Sequence, residues 1–169
     1  MNWYAEPAQV PGESGPMALY PTPGVTSLVT ADDAPGRAMI AVKDRTFCVM
    51  GRTLYEISST YVLTSRNPST PMVDDGKPAT ISWNGDGGGE LFITSGNYGY
   101  LFTLSSNAFA QVRDPAVDGG TTMGAQLDGY FIALDTSTST IYLSDLLDGT
   151  TWDATQFQQR SIESDPWVS

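Results

Sequence analysis

Short runs of apolar and β-branched residues recur three times along this chain at a spacing of about forty residues, and no other feature restricts its fold so tightly. The first group occupies 38–42, 46–50, 54–57 and 61–64. The second occupies 79–83, 90–94, 100–104 and 109–112, and the third 122–127, 130–134 and 140–144, after which the pattern weakens. Gly-rich segments at 84–89 and 95–99 supply the reversals that such short strands need. Aligning Phe47, Phe92 and Phe131 gives offsets of 45 and 39, and Tyr55, Phe102 and Tyr142 give 47 and 40. That is the length of a four-stranded antiparallel blade. A β-sandwich also shows short alternating strands at regular spacing, but the repeated group length favours a propeller. The expected fold is all-β and propeller-like, with about three four-stranded blades at roughly 37–70, 77–113 and 120–155, together filling 37–169. Closure typically takes about four to eight blades. The repeats therefore predict a partial propeller whose exposed strand edge invites another chain.

Residues 1–36 read differently. Prolines at 7, 11, 16, 21, 23 and 35, with glycines at 12, 15 and 24, predict an extended Pro/Gly-rich N-terminal arm. Only 17–20 and 25–29 look like strands there. No segment holds helical spacing for three turns, and the most helix-like stretch, 153–162, is polar enough to read as a loop.

Eight Lys plus Arg against nineteen Asp plus Glu leave a net charge of −11. Such a surface repels phosphate, which argues against a specific grip on nucleic acid. It suits either plain solubility or a wall past which a polyanion slides without sticking. Histidine is absent, removing the side chain most used for proton transfer near neutral pH and a common zinc ligand. The single Cys48 lies in the apolar run 46–50, so no internal disulfide can form and a buried thiol is expected. No apolar stretch approaches the roughly 18 residues of a membrane span, and residues 1–6 lack a basic-then-apolar export pattern.

Candidate chemistry is sparse. The loop Asn84-Gly85-Asp86-Gly87-Gly88-Gly89-Glu90 fits neither a phosphate cradle nor a calcium loop, and reads as a flexible turn. Asp74-Asp75-Gly76 and Asp32-Asp33 pair carboxylates in presumed loops with no basic partner nearby in sequence, and read as solvated turns. The run from Ser144 to Trp152 approaches the Asp-box turn of sialidase-type propellers, but its Asp-to-Gly spacing is wrong. An arginine cluster for a sialic acid carboxylate is hard to assemble from Arg37, Arg45, Arg52, Arg66, Arg113 and Arg160. No carboxylate pair is singled out for glycoside hydrolysis. Catalytic residues, metal ligands and cofactors are accordingly not expected. The aromatics Trp3, Tyr4, Trp152 and Trp167 lie among prolines and polar residues and are candidate partner contacts, with capping of the sheet stack as the alternative.

The opening Asn2-Trp3-Tyr4-Ala5-Glu6-Pro7, followed by Met17-Ala18-Leu19-Tyr20-Pro21-Thr22-Pro23-Gly24, resembles the start of the packaged-DNA stabilisation proteins of short-tailed bacteriophages, the tail hub or nozzle family. Later features agree in order: Pro35-Gly36-Arg37-Ala38-Met39, Leu127-Asp128-Gly129-Tyr130-Phe131, and Ser144 through Asp148-Gly149-Thr150-Thr151-Trp152-Asp153. The resemblance spans residues 2–153. It implies a structural virion protein with a propeller body, assembled in the host cytoplasm as a six-fold homo-oligomeric ring below the portal and its adaptor or head-completion protein. It further implies a ring that closes the channel, stabilises packaged DNA, continues the ejection conduit, and carries the tail fibre or tailspike and the needle or plug. DNA would pass through without sequence-specific binding. Relatives are considerably longer, with further blades after the tryptophan segment, which leaves open whether this chain is a fragment or a short variant. Two other readings stand beside it: a carbohydrate-binding or sialidase-like propeller, from the near-Asp-box and the aromatics, and a receptor-binding tail tip.

Overall fold

A computed structural model describes residues 3–7, 17–21, 24, 26–27, 29–31, 34–138 and 140–159. The chain divides into two compact units, 1–30 and 31–169. In the first, β1 (Trp3–Pro7) and β2 (Met17–Pro21) form a two-stranded antiparallel sheet with Tyr4 opposite Tyr20. The sequence predicts β2 but not β1, whose proline closes the strand at its last residue. Thr26, Ser27 and Val29, within the second expected strand, are outside any strand.

The second unit holds three four-stranded antiparallel sheets, each in consecutive order. Blade 1 is β3 (Gly36–Val42), β4 (Arg45–Met50), β5 (Thr53–Ile57) and β6 (Leu63–Ser65). Blade 2 is β7 (Thr80–Trp83), β8 (Glu90–Ser95), β9 (Tyr98–Thr103) and β10 (Ala108–Gln111). Blade 3 is β11 (Met123–Leu127), β12 (Tyr130–Leu134), β13 (Thr140–Asp145) and β14 (Asp148–Gln159). Tight two-residue turns fix the registers. Gly96 and Asn97, at φ 58° and 66°, join Ser95 to Tyr98, and Asp128 and Gly129, at φ 50° and 89°, join Leu127 to Tyr130. Positive φ at both central positions matches the right-handed twist of the flanking strands.

Strand β14 corrects the expectation for 153–162: through Gln159 this segment is strand, with Phe157 opposite Tyr142 and Gln158 opposite Ile141. Its Thr and Gln residues carry little periodic signal, so pairing with β13 decides its conformation. Residues 160–162 lie outside the described residues.

The blades stack in chain order. Ala79 N donates to Arg37 O at 3.2 Å, and Gly124 N donates to Thr80 Oγ1 at 2.9 Å, so β7 runs between β3 and β11. Because successive side chains in a strand alternate sides, each blade has a forward face toward the next blade and a rear face toward the previous one. The forward residues Phe47, Val49 and Leu54 of blade 1 meet the rear residues Leu91, Ile93, Tyr100 and Phe102 of blade 2. Forward residues Phe92 and Leu101 of blade 2 meet Phe131, Ala133 and Trp152 of blade 3. Blade 2 is thus covered on both faces, and all six residues of β8 are buried.

This alternation revises one sequence alignment. Phe47 and Phe92 point forward, but Phe131 packs backward against Phe92, so the forward residue of blade 3 is its neighbour Ile132. A one-residue offset moves a side chain to the opposite face, and apolar identity alone did not fix the parity. Tyr55, Phe102 and Tyr142 do share the rear face. Cys48 is a free, buried thiol whose pKa is raised by desolvation.

Candidate functional site

What the residues build is a pair of polar seams beside the apolar ones. The first residue of the second strand performs the same task in blades 1 and 2. In blade 1 it is Arg45, whose Nη1 donates to Leu104 O at 2.8 Å and whose Nη2 donates to Asn107 Oδ1 at 2.6 Å, both in the turn region between β9 and β10. Its guanidinium lies 4.9 Å from the Phe47 ring centroid and 5.8 Å from that of Phe102, so it also covers the apolar seam. Glu56 holds it in a fork, accepting from Nε at 2.8 Å and from Nη2 at 2.7 Å, and accepts from Arg66 Nε at 2.7 Å. These bonds, Arg45 first, hold the Glu56 carboxyl below the ordinary glutamate range.

In blade 2 the equivalent residue is Glu90. Its Oε2 accepts from Gly149 N at 2.8 Å across the seam and from Asn84 Nδ2 at 3.1 Å. Asn84 Oδ1 in turn accepts from Glu90 N at 2.9 Å. Burial pushes the Glu90 carboxyl above its ordinary range. The glycine-rich loop is the inter-strand turn expected, joining β7 to β8, and it is tied at its base: its first residue, Asn84, is buried and bonded to its last. Gly88 passes so close to the Asn84 amide that a Cβ there would overlap it, which explains one of the glycines.

A pH prediction follows from Glu56. A carboxyl whose pKa falls on folding contributes stability that is present above its unfolded value and lost as pH drops through the folded one. Glu90 acts with the opposite sign, its raised pKa favouring the acid side. Glu56→Gln should cost about 1–2 kcal/mol at neutral pH, and the loss relative to the parent chain should shrink on acidification. Urea unfolding across pH 3–7 measures this, and a difference independent of pH would contradict it.

Arg37 organises a second cluster. Its side chain is 3% exposed and bonds Gly51 O at 2.9 Å, Ser95 Oγ at 2.8 Å and Lys77 O at 2.7 Å. Asp75 accepts from it at 3.0 Å and Asp74 lies 3.4 Å away. The Asp74-Asp75 pair thus has a basic partner that sequence distance concealed. Asp32 and Asp33 lie outside the described residues.

The near-Asp-box folds as the β13–β14 hairpin. Ser144 is fully buried, accepting from Phe131 N at 2.9 Å and donating to Asp145 O at 2.8 Å. Asp148 Oδ1 accepts from Thr150 N at 2.8 Å and Thr150 Oγ1 at 2.6 Å, and the hydroxyl bond heads the causes that lower its pKa. Trp152 Nε1 donates to Gly149 O at 2.9 Å. The motif therefore fastens a hairpin and presents the Gly149 amide to Glu90.

The four aromatic candidates separate. Trp152 is 4% exposed, with its ring centroid 5.2 Å from that of Phe92, so it is a core residue of the blade 2–3 seam and not an exposed contact. Trp3 and Tyr4 lie in β1, and Trp167 lies outside the described residues. The arginines are dispersed: Arg45 and Arg66 on Glu56, Arg37 on its own cluster, Arg52 Nε on Met72 O at 2.9 Å, and Arg113 3.8 Å from Asp118; Arg160 is not among the described residues. Among the described residues no group of three or more His, Cys, Asp or Glu gathers to hold a metal, and no helix is long and apolar enough to cross a membrane. Sequence reasoning missed Arg37, Arg45 and Glu90. The available signal was a charged residue opening the second strand of two successive blades.

Fold and seams together define three consecutive blades of a β-propeller. The family described as bacteriophage P22 Gp10, β-propeller, matches residues 1–169, and the chain belongs to this family of phage structural proteins that stabilise packaged DNA in the virion. No curated protein matches the sequence. Among solved structures, the computationally designed Ika4 protein is similar in fold at 9% identity, with 85% of this chain and 84% of that chain covered and a TM-score of 0.56. The Pan2 WD40 domain of Neurospora crassa matches at 13% identity and a TM-score of 0.49 over 75% of this chain, which spans 36% of that one.

Proposed function

We propose that this chain is a building block of the tail hub or nozzle of a short-tailed phage. In this reading it closes the portal channel behind the packaged genome and continues the conduit through which DNA leaves. The observation that carries it is the family match over the whole chain. The net charge of −11 supports it, because a wall that repels phosphate lets DNA slide. The role is structural and non-enzymatic.

The finer reading is a six-fold ring assembled in the host cytoplasm and seated below the portal adaptor or head-completion protein, carrying a tail fibre or tailspike and a needle or plug. Residues 1–36 serve as an attachment arm, the blades over 37–169 form the body, and Trp3, Tyr4 and Trp167 are the aromatic candidates for partner contact; Trp152 serves packing instead.

Particles produced without the protein test this reading. Heads should fill and then lose DNA, measured as the fraction of particles with nuclease-resistant genomes, and the protein should copurify with intact virions. Full genome retention in its absence, with the protein confined to the infected cytosol, would remove the proposal.

A further inference from the structure

Each blade reverses its chain at one common end, between its first and second strands and again between its third and fourth. Contacts between blades set these turns side by side. Lys43 in blade 1 lies 2.7 Å from Asp86 in blade 2, and a Cβ on Gly87 of blade 2 would come within 2.8 Å of Leu147 Cδ1 in blade 3. At this end the β13–β14 turn, Asp145-Leu146-Leu147-Asp148, presents two leucines to solvent, 54% and 38% exposed. Asp145 and Asp148 face each other across the turn, so carboxylates bracket the leucine pair. Hydrogen bonds from Thr150, the hydroxyl first, hold the Asp148 carboxyl below the ordinary aspartate range and keep it charged at neutral pH.

Two more carboxylates stand on the turns that Leu147 touches. Gly129, whose carbonyl oxygen accepts from Leu147 N at 3.0 Å, follows the exposed Asp128, and Gly87 follows the exposed Asp86. The ion pair of Asp86 with Lys43 lies in solvent, where such a pair is readily exchanged for another. Packing accounts for only part of this arrangement. Leu147 fills room left by two glycines, yet it does so at φ 60°, a conformation that disfavours a leucine. The corresponding turn of blade 2 shows what the hairpin itself requires: Ser105, Ser106 and Asn107 are polar and exposed, and Asn107, a residue suited to the left-handed region, has φ 55°.

We propose that this patch docks a segment of a partner protein in which apolar side chains alternate with Lys or Arg. Its apolar side chains cover Leu146 and Leu147, and its cations meet Asp86, Asp128, Asp145 and Asp148. Charge complementarity selects this occupant. The same carboxylates repel the phosphates of DNA and of an anionic membrane, and they repel a second copy of the same patch. The inference goes beyond the tail-hub reading and does not need it, because it rests on one end of the blades and not on the particle that holds them.

Titration of the isotopically labelled chain with the peptide acetyl-Arg-Leu-Arg-Leu-Arg-Leu-amide, followed by NMR, tests it. Amide shifts should gather at 86–87, 128–129 and 145–148. Leu146→Ser should weaken binding about tenfold or more, and so should Asp128→Asn/Asp145→Asn, which keeps the leucines and serves if Leu146→Ser fails to fold by circular dichroism. Val62→Ser, at the apolar but uncharged β5–β6 turn where Val62 is 58% exposed, should leave binding unchanged. A peptide with serine in place of leucine should bind more weakly, and one with glutamate in place of arginine should not bind. Shifts spread over the whole chain, or equal binding by the serine peptide, would reduce the effect to net charge and overturn the proposal. Absence of shifts at millimolar peptide would overturn it as well. Either failure leaves genome retention in particles to be decided separately, so the two readings fall independently.

Discussion

Phe92→Ala is expected to lower the unfolding free energy by about 3–5 kcal/mol, among the largest losses available to a single substitution in a core. Phe92 is fully buried in the middle of β8 and reaches forward into blade 3, with ring centroids 5.3 Å from Phe131 and 5.2 Å from Trp152. The backbone is shaped around it. A Cβ at Gly99 would come within 2.8 Å of its ring, and one at Gly124 within 2.9 Å. Truncation leaves a cavity walled by two aromatics and two glycines, and glycines have no side chains with which to fill it. Guanidinium unfolding followed by tryptophan fluorescence measures the loss, and Phe92→Leu should recover part of it. A cost below about 1 kcal/mol, the level of a conservative core swap, would mean that the seam between blades 2 and 3 is not a packed core.

Arg37→Met should cost a similar amount, about 3–5 kcal/mol, by a different route. Methionine keeps much of the stem volume and removes the charge. The loss removes the donors to Gly51 O and Ser95 Oγ, which the guanidinium bonds at 2.9 and 2.8 Å, and takes from Asp74 and Asp75 the cation beside them. Ser95 belongs to blade 2 and Arg37 to blade 1, so the damage falls on the seam between them. Thermal unfolding of Arg37→Met beside Arg37→Met/Asp74→Asn/Asp75→Asn separates charge from packing. Partial rescue by the triple variant is expected, and none would mean that the carboxylates contribute little.

The blades were legible because their signal is local. Apolar alternation, glycine-bearing turns and a repeat of about forty residues all appear within a single blade. Facing was harder to read. Phe131 looks like Phe47 and Phe92 in a repeat alignment but points to the other side of its sheet, because parity depends on register set by the Asp128-Gly129 turn. The polar seam residues were invisible for another reason. Arg37 and Asp75 are 38 residues apart, and Glu90 and Gly149 are 59 apart, so nothing in either neighbourhood advertises the partner. Trp152 misled through composition, since its neighbours Thr151 and Asp153 are exposed while its own ring turns inward.

The central claim is that these blades belong to a ring on the tail axis of a phage particle. Electron cryo-microscopy of purified virions tests it most directly, by fitting the three-blade unit into the density below the portal. The account predicts a symmetric ring of propellers surrounding the channel. Well-resolved tails with no propeller density on that axis would contradict it.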